Sequence, residues 1–323
     1  MPRIGLVLPN LEEGTLKLAR QIGASDIVTS LGANEGGGVG VWDFQKLLVQ
    51  QRKIADAGLF WSVIESMPIT DRVKLGLAGR DEDIENWRQS LRHVGAAGIP
   101  IICYNWMAAF GWLRTSFTTR VRGDALATSY NHEQMQRGPM SVYGAVPEEQ
   151  LWDALEYFIR AVVPVAEEAG VQLAMHPDDP PLSPIRGMGR IMTSPANFQR
   201  LIDLVPSPVN GITFCQGCFA EMGIDVPTEI RRFGSQGKLF FSHFRNLRGL
   251  AADFSEAFHD DGDTDMFAAM QAYYDIGFTG PMRPDHVPTL EGDTNARPGY
   301  SLWGRLFAVG YMKGLMEAVE KTR

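Results

Sequence analysis

The sequence predicts a closed (β/α)8 barrel in a single domain over residues 1–323, with a long loop after its fourth strand. Three observations predict it. Apolar runs of strand length alternate eight times with segments of helical spacing. No linker and no second compositional regime interrupts the alternation, which favours a closed barrel over an open doubly wound sheet. The later apolar runs end in histidine, cysteine or aspartate, which a parallel sheet presents at its carboxyl end, where ligands sit.

The first unit is the run Arg3-Ile-Gly-Leu-Val-Leu8, stopped by Pro9-Asn10, with a helix over 12–22 that ends before Gly23. A strand over 26–31 and a helix over 42–57 follow, then a strand over 59–65 and a helix over 82–97. The fourth strand, 100–105, gives way to a stretch without clear periodicity, 108–147, before the helix 148–169. Loops this long in a compact domain are usually lids or binding loops. This one sets Arg114, Arg120, Arg122 and Arg137 against Asp124 and Glu133, and carries Phe110, Trp112, Phe117, Tyr130 and Tyr143. Such a basic, aromatic loop suits closure over an anionic polar substrate, and equally suits an oligomer contact or a solvated insert. The fifth strand, Val171-Gln-Leu-Ala-Met175, follows a helix ended by Gly170 and is stopped by prolines. Then come a helix over 194–204, a strand over 211–215, a helix over 226–233 with Pro227 in its first turn, a strand over 238–244, a helix over 263–276, a strand over 280–286 and a last helix over 302–320.

A chain of 323 residues that is 45% hydrophobic can bury a substantial core. Its net charge of −8 disfavours nucleic acid and anionic membrane as partners and leaves small molecules as the expected ligands. No signal-like start and no apolar run of about 20 residues is present. Three cysteines make no disulfide framework. A cytoplasmic protein is expected, and a homo-oligomer of two or more copies.

The fifth to eighth strands deliver His176, Cys215, His243 and Asp285, one side chain each, at or just past the carboxyl end. Adjacent strands lie about 4.8 Å apart, so the four can meet at the barrel mouth. Two imidazoles, a thiolate and a carboxylate suit Fe, Mn or Zn, and the thiolate leans away from Mg and Ca. Taken singly, each has an ordinary structural reading, as a core cysteine or a capped histidine; their recurrence at one level points to a metal. Other motifs carry less. Cys215-Gln-Gly-Cys218 has no second pair to complete a zinc knuckle. Asp261-Gly-Asp-Thr-Asp265 lacks the glycine and glutamate of a calcium loop, and Asp263 reads as a helix N-cap. Gly36-Gly-Gly-Val-Gly40 is followed by Val41 and lacks the third glycine of a dinucleotide fingerprint.

At these residues the sequence closely resembles the mannonate dehydratases, metal-dependent sugar-acid lyases of the xylose isomerase-like TIM-barrel group. The resemblance rests on Cys103-Tyr-Asn-Trp-Met107, Met175-His-Pro-Asp-Asp-Pro-Pro181, Gly211-Ile-Thr-Phe-Cys-Gln-Gly217, His243-Phe-Arg-Asn246, Asp261-Gly-Asp-Thr-Asp-Met266, Arg283-Pro-Asp-His286 and Pro298-Gly-Tyr300, in order across most of the chain. It implies that His176, Cys215, His243 and Asp285 bind Mn2+ or Fe2+, that His286 and Tyr300 take part in proton transfer, and that D-mannonate is converted to 2-keto-3-deoxy-D-gluconate.

Water elimination from a 2,3-dihydroxy acid requires loss of the C2 proton, stabilisation of the enediolate and protonation of the departing C3 hydroxyl. A metal supplies the Lewis acid. Tyr300 and His286 are the expected base and acid, in either order. Arg245, Arg283 and Asn246 lie beside ligands in sequence and are candidates to hold the substrate carboxylate or hydroxyls. Asn105, Asp178 and Glu65 are further candidates, for which helix capping or loop bonding is an equal reading. Other outcomes compatible with the sequence are sugar isomerisation or epimerisation, dehydration of another aldonate, and sugar binding without catalysis.

Overall fold

The computed structural model describes residues 1–32 and 39–323. In chain order, β1 (Arg3–Leu6), β2 (Asp26–Thr29), β3 (Phe60–Glu65) and β4 (Ile101–Tyr104) enter a parallel barrel, and β5 (Ser116–Arg120) and β6 (Leu126–Asn131) leave it. Next, β7 (Gln172–Met175), β8 (Asn210–Cys215) and β9 (Leu239–Phe244) rejoin the barrel. The strands β10 (Leu247–Leu250) and β11 (Asp253–Glu256) leave it again, and β12 (Pro281–Pro284) closes it against β1. The eight barrel strands are those the alternation predicts, most of them a residue or two shorter. The glycine-rich motif falls largely in 33–38, outside the described residues.

The helices are α1 (Glu13–Gln21), α2 (Phe44–Asp56), α3 (Asp71–Lys74), α4 (Arg80–Ala96), α5 (His132–Gln136), α6 (Glu148–Ala169), α7 (Pro195–Leu204), α8 (Gln216–Glu221), α9 (Val226–Ser235), α10 (Met266–Asp275) and α11 (Leu302–Thr322). Their ends follow local chemistry. Gly170 closes α6 with φ of 67°, the left-handed conformation that glycine adopts without strain. Asp225 caps α9 ahead of Pro227. The cap of α10 is Asp265, whose side chain accepts from the Ala268 N–H. Asp263, expected in that role, instead accepts from the Gly249 N–H, because the helix starts three residues later than its sequence spacing implies. The short helices α3, α5 and α8 carry too few residues to show a period.

Both faces of the barrel strands are buried, which is why they read as unbroken apolar runs. Val63, Ile101, Ala174 and Phe241 point into the barrel with Val28 and Cys103, whereas Ile64, Ile102, Leu173 and Met175 face the helices. Ascending two residues from Phe241 along β9 reaches His243, so the same alternation that fills the barrel delivers the imidazole to its mouth.

The stretch 108–147 is not a structureless lid. It supplies β5 and β6, which join β11 and β10 in an antiparallel sheet of order β10-β11-β6-β5. Phe254 pairs with Tyr130 and Ser255 with Ser129. Both inserts depart from carboxyl ends of barrel strands, β4 and β9, so the sheet stands over the barrel mouth. Its core is small: Tyr130, Leu247 and Phe254, with Leu113, Met135 and Leu182 against them. Among the described residues no helix is long and apolar enough to cross a membrane.

Candidate metal centre and catalytic pocket

Register sets the site. Cys215 pairs with His243 across β8 and β9, and His243 with Arg283 across β9 and β12. His176 follows β7 by one residue, its N–H held by the Tyr104 carbonyl, and Asp285 follows β12, its N–H on the Phe244 carbonyl. The four predicted ligands thus come to one level. His176 Nε2 lies 3.2 Å from His243 Nδ1, Asp285 Oδ2 lies 3.6 Å from the same nitrogen, and Cys215 Sγ lies 3.7 Å from Asp285 Oδ2. Donors at about 2.0 to 2.3 Å from a tetrahedral cation are separated by roughly 3.3 to 3.8 Å; Cys215, His243 and Asp285 all gather within 4.8 Å of one another, and His176 joins them from the side of His243 and Cys215.

Each ligand is oriented from behind. His176 Nδ1 donates to the Pro177 carbonyl at 2.7 Å, leaving Nε2 as its free lone pair. His243 Nε2 lies 3.3 Å from Glu65 Oε1, at an angle too poor for a full hydrogen bond, and Nδ1 faces the cluster. Asp285 Oδ1 accepts from Arg283 Nη1 at 2.8 Å, leaving Oδ2 to face inward. This is the outer-shell ordering that metal-binding histidines and carboxylates need. Burial raises the Cys215 thiol, but contacts from Cys218, His176 and His243 outweigh it and bring it well below the usual thiol range. Burial and Arg283 push His243 down, and Glu65 and Asp285 more than reverse that, so it sits well above the usual histidine value. The lowered thiol value favours the thiolate that a metal requires, and the carboxylates that draw a proton to His243 draw a divalent cation to the same place.

Beside the ligands, His286 Nε2 lies 3.3 Å from the Tyr300 hydroxyl, and the Trp112 ring stands 5.1 Å from the His286 ring. Burial and the nearby Asp285 hold the Tyr300 phenol well above its usual value, so it keeps its proton at neutral pH. The pocket is lined by these groups with Cys103, Asn105, Asp179 and Arg297.

The remaining predicted contacts are placed differently from one another. Asn105 reaches the pocket, its Oδ1 accepting from Lys74 Nζ and the Met107 N–H. Arg283 and Glu65 also line it, but the guanidinium is taken up by Glu65 on two bonds and by Asp285. Arg245 lies beneath the site, fully buried, donating to Glu256, Glu221 and Asp179 and toward the sulfurs of Cys215 and Cys218. Asn246 is spent on the backbone of His259, Thr264 and Leu247. Asp178 turns away to Arg190 and the Met192 N–H. Asp178, Arg245 and Asn246 lie past the ends of β7 and β9, where the backbone leaves the strand and no longer carries the inward direction of the ligands onward.

Several residues escaped the sequence reading. Asp179 faces the pocket in place of Asp178. Arg114, from the insert, bonds Asp179 at 2.5 and 3.0 Å and Glu256 at 2.7 Å, and Glu256 reaches His286 Nδ1 at 2.9 Å. Burial raises Asp179 and Glu256, but the arginines outweigh it and hold both below the usual carboxylate range; burial and the charge of Asp179 push Glu221 well above it. Two guanidinium ions therefore face two carboxylates held in the ionised form and a third acid, Glu221, that burial and Asp179 press toward its protonated form. The tandem Asp178-Asp179 and the arginine-rich stretch that holds Arg114 were its sequence signals, and neither pointed to this pairing.

Against known proteins, the model of the family described as D-mannonate dehydratase (UxuA) matches residues 9–142 and 134–323. Mannonate dehydratase 2 of Halalkalibacterium halodurans is 40% identical over 308 residues, covering 87% of this chain and 88% of its own. Mannonate dehydratase of Thermotoga maritima is 36% identical over 318 residues, 88% of each chain. The crystal structure of mannonate dehydratase from Streptococcus suis superposes with a TM-score of 0.92 at 35% identity, covering 99% of this chain and 94% of that one. An L-ribulose 3-epimerase, at 16% identity and a TM-score of 0.61, shares the barrel alone. Matched along nearly its whole length, the chain belongs to the D-mannonate dehydratase family of hydro-lyases.

Proposed function

We propose that this chain removes water from D-mannonate to give 2-keto-3-deoxy-D-gluconate, using Mn2+ or Fe2+ held by His176, Cys215, His243 and Asp285. The observation that carries the reading is the cluster of Cys215, His243 and Asp285, with His176 Nε2 3.2 Å from His243 Nδ1, beside the His286–Tyr300 pair. A thiolate among the donors selects a transition metal over Mg2+ or Ca2+. When bound, the metal supplies a Lewis acid for the substrate carboxylate and the adjacent hydroxyl.

The chain's own groups do the rest. His286 and Tyr300 move the protons at C2 and at the C3 hydroxyl. Asn105 meets a substrate hydroxyl, and Trp112 shields the His286 ring from water. Among the pocket-lining cations, Arg297 forms no ion pair with a described residue and is open to solvent, its guanidinium 5.3 Å from the Tyr300 ring; it receives the anionic end of the substrate. Arg245, Arg283, Asn246 and Asp178, saturated by protein partners, orient the site without touching substrate.

The test is incubation of Mn2+- or Fe2+-loaded protein with D-mannonate and a panel of other aldonates, followed by assay of 2-keto-3-deoxy acid. Product from D-mannonate above the other aldonates, abolished by chelation and restored by metal, is expected. Full turnover in chelated protein, or conversion of free aldoses or ketoses in place of aldonates, overturns the reading.

A further inference from the structure

Glu256 lies far in sequence from the metal ligands, on β11 of the sheet over the mouth, and is wholly buried. Its Oε1 receives Arg114 Nη2 at 2.7 Å, Arg245 Nη2 at 2.6 Å and His286 Nδ1 at 2.9 Å. Arg114 Nη2 also lies 3.2 Å from His286 Nδ1, so two neighbours compete for one ring nitrogen. Counting protons resolves the competition. Arg114 Nη2 has two N–H groups, and both are committed, one to Asp179 Oδ2 and one to Glu256 Oε1. Nothing is left to donate to the ring. A carboxylate paired with two guanidinium ions can only accept. Nδ1 must therefore carry the proton.

We infer that Glu256 is the positioning residue of the reaction: it keeps the proton on His286 Nδ1 and turns Nε2 into the pocket as the nitrogen that takes the C2 proton from the substrate. The inference rests on the proposed roles of His286 and Tyr300 and assigns their order. As the C2–H bond breaks, its proton passes to Nε2 and its electron pair forms the C2=C3 bond. The C3–O bond breaks with its pair on oxygen, which takes the Tyr300 phenol proton and leaves as water. Nε2–H then returns a proton to the phenolate across the 3.3 Å contact, restoring both side chains, and the enol product becomes the 2-keto acid. The sheet over the mouth is thereby tied to proton transfer as well as to enclosure.

The experiment compares Glu256→Gln, Glu256→Asp, His286→Asn and the Glu256→Gln/His286→Asn double variant in the metal-loaded enzyme, with rates normalised to bound metal and folded protein. Glu256→Gln is expected to lower kcat roughly 10- to 100-fold, part of the 10²- to 10⁴-fold that positioned proton transfer supplies, with KM within about twofold. In the His286→Asn background the same change is expected to cost less than about twofold, because the group it acts through is gone. Should Glu256→Gln not fold, Glu256→Asp keeps the charge that Arg114 and Arg245 require while drawing the oxygen back from Nδ1, and the same loss of kcat is expected. Normal turnover by folded Glu256 variants beside an inactive His286→Asn refutes the role of Glu256 alone. Equal losses in both backgrounds make Glu256 merely structural and refute it too. Native-like turnover of His286→Asn removes the underlying assignment.

Discussion

Arg114→Met would cut one of the ties between the inserted sheet and the barrel, leaving those of Glu256 to Arg245 and His286. The arginine has no exposed side-chain surface and holds Asp179 and Glu256 at 2.5 to 3.0 Å. Its removal leaves Arg245 alone against two ionised carboxylates, one uncompensated buried negative charge. Breaking a buried pair in this way costs about 3 to 5 kcal/mol. With an unfolding entropy of about 2.1 cal/mol/K per residue, a chain of 323 residues has a slope of roughly 0.7 kcal/mol/K at its midpoint, so the melting temperature should fall by about 4 to 7 °C. Scanning calorimetry of the metal-loaded protein measures it. Adding Asp179→Asn removes the surplus charge, and the double variant should regain about 1 to 3 kcal/mol relative to the sum of the single losses. A fall under 2 °C for Arg114→Met, or strict additivity of the pair, would refute the reasoning that charge balance holds the roof to the barrel.

Further outcomes follow from the site. Cys215→Ser replaces a thiolate with a neutral hydroxyl and should weaken metal retention by at least about 10- to 100-fold, the range for losing only an outer-shell partner; metal content after dialysis against a graded chelator series checks it, and unchanged retention would count against the ligand set. Arg297→Met should raise KM for an aldonate by roughly 10- to 150-fold with little change in kcat, corresponding to a charge-assisted bond of about 1.5 to 3 kcal/mol; an unaltered KM would remove Arg297 from the substrate contacts. His259, buried with Nε2 on the Phe244 carbonyl at 2.6 Å, is pushed down to about 4 by burial. Between its unfolded value near 6.5 and that folded value the unfolded chain holds the extra proton, so stability falls as the pH drops through this window, by at most about 1.4 kcal/mol per pH unit. Denaturant titrations at pH 7.5 and pH 5 should show a shallower loss for His259→Gln than for the native chain, and equal losses would contradict the assignment.

The barrel was legible because each strand is a local apolar run and both faces of it are buried. His176, Cys215, His243 and Asp285 were legible as candidates for a related reason: each ends a strand, and parallel strands bring their ends to a common level. Arg114 and Glu256 carried no comparable signal. They meet through antiparallel pairing of β6 with β11, segments more than a hundred residues apart, and β5 is too exposed to show an alternating pattern. Closeness to a ligand in sequence was a poor guide in Arg245, Asn246 and Asp178, since all three follow the ends of their strands, where the alternation of the sheet no longer sets direction. In Arg283 it led to the pocket wall, yet nothing local could announce that Glu65, from a strand over two hundred residues earlier, would occupy the guanidinium.

Because β6 hydrogen-bonds to β11, the two excursions above the barrel are one structural unit written in two separate places along the chain. A chimera that borrows the first from a relative and keeps the second would mismatch the Phe254–Tyr130 and Ser255–Ser129 pairings. Anyone recombining this scaffold for a new sugar acid should transplant both pieces together.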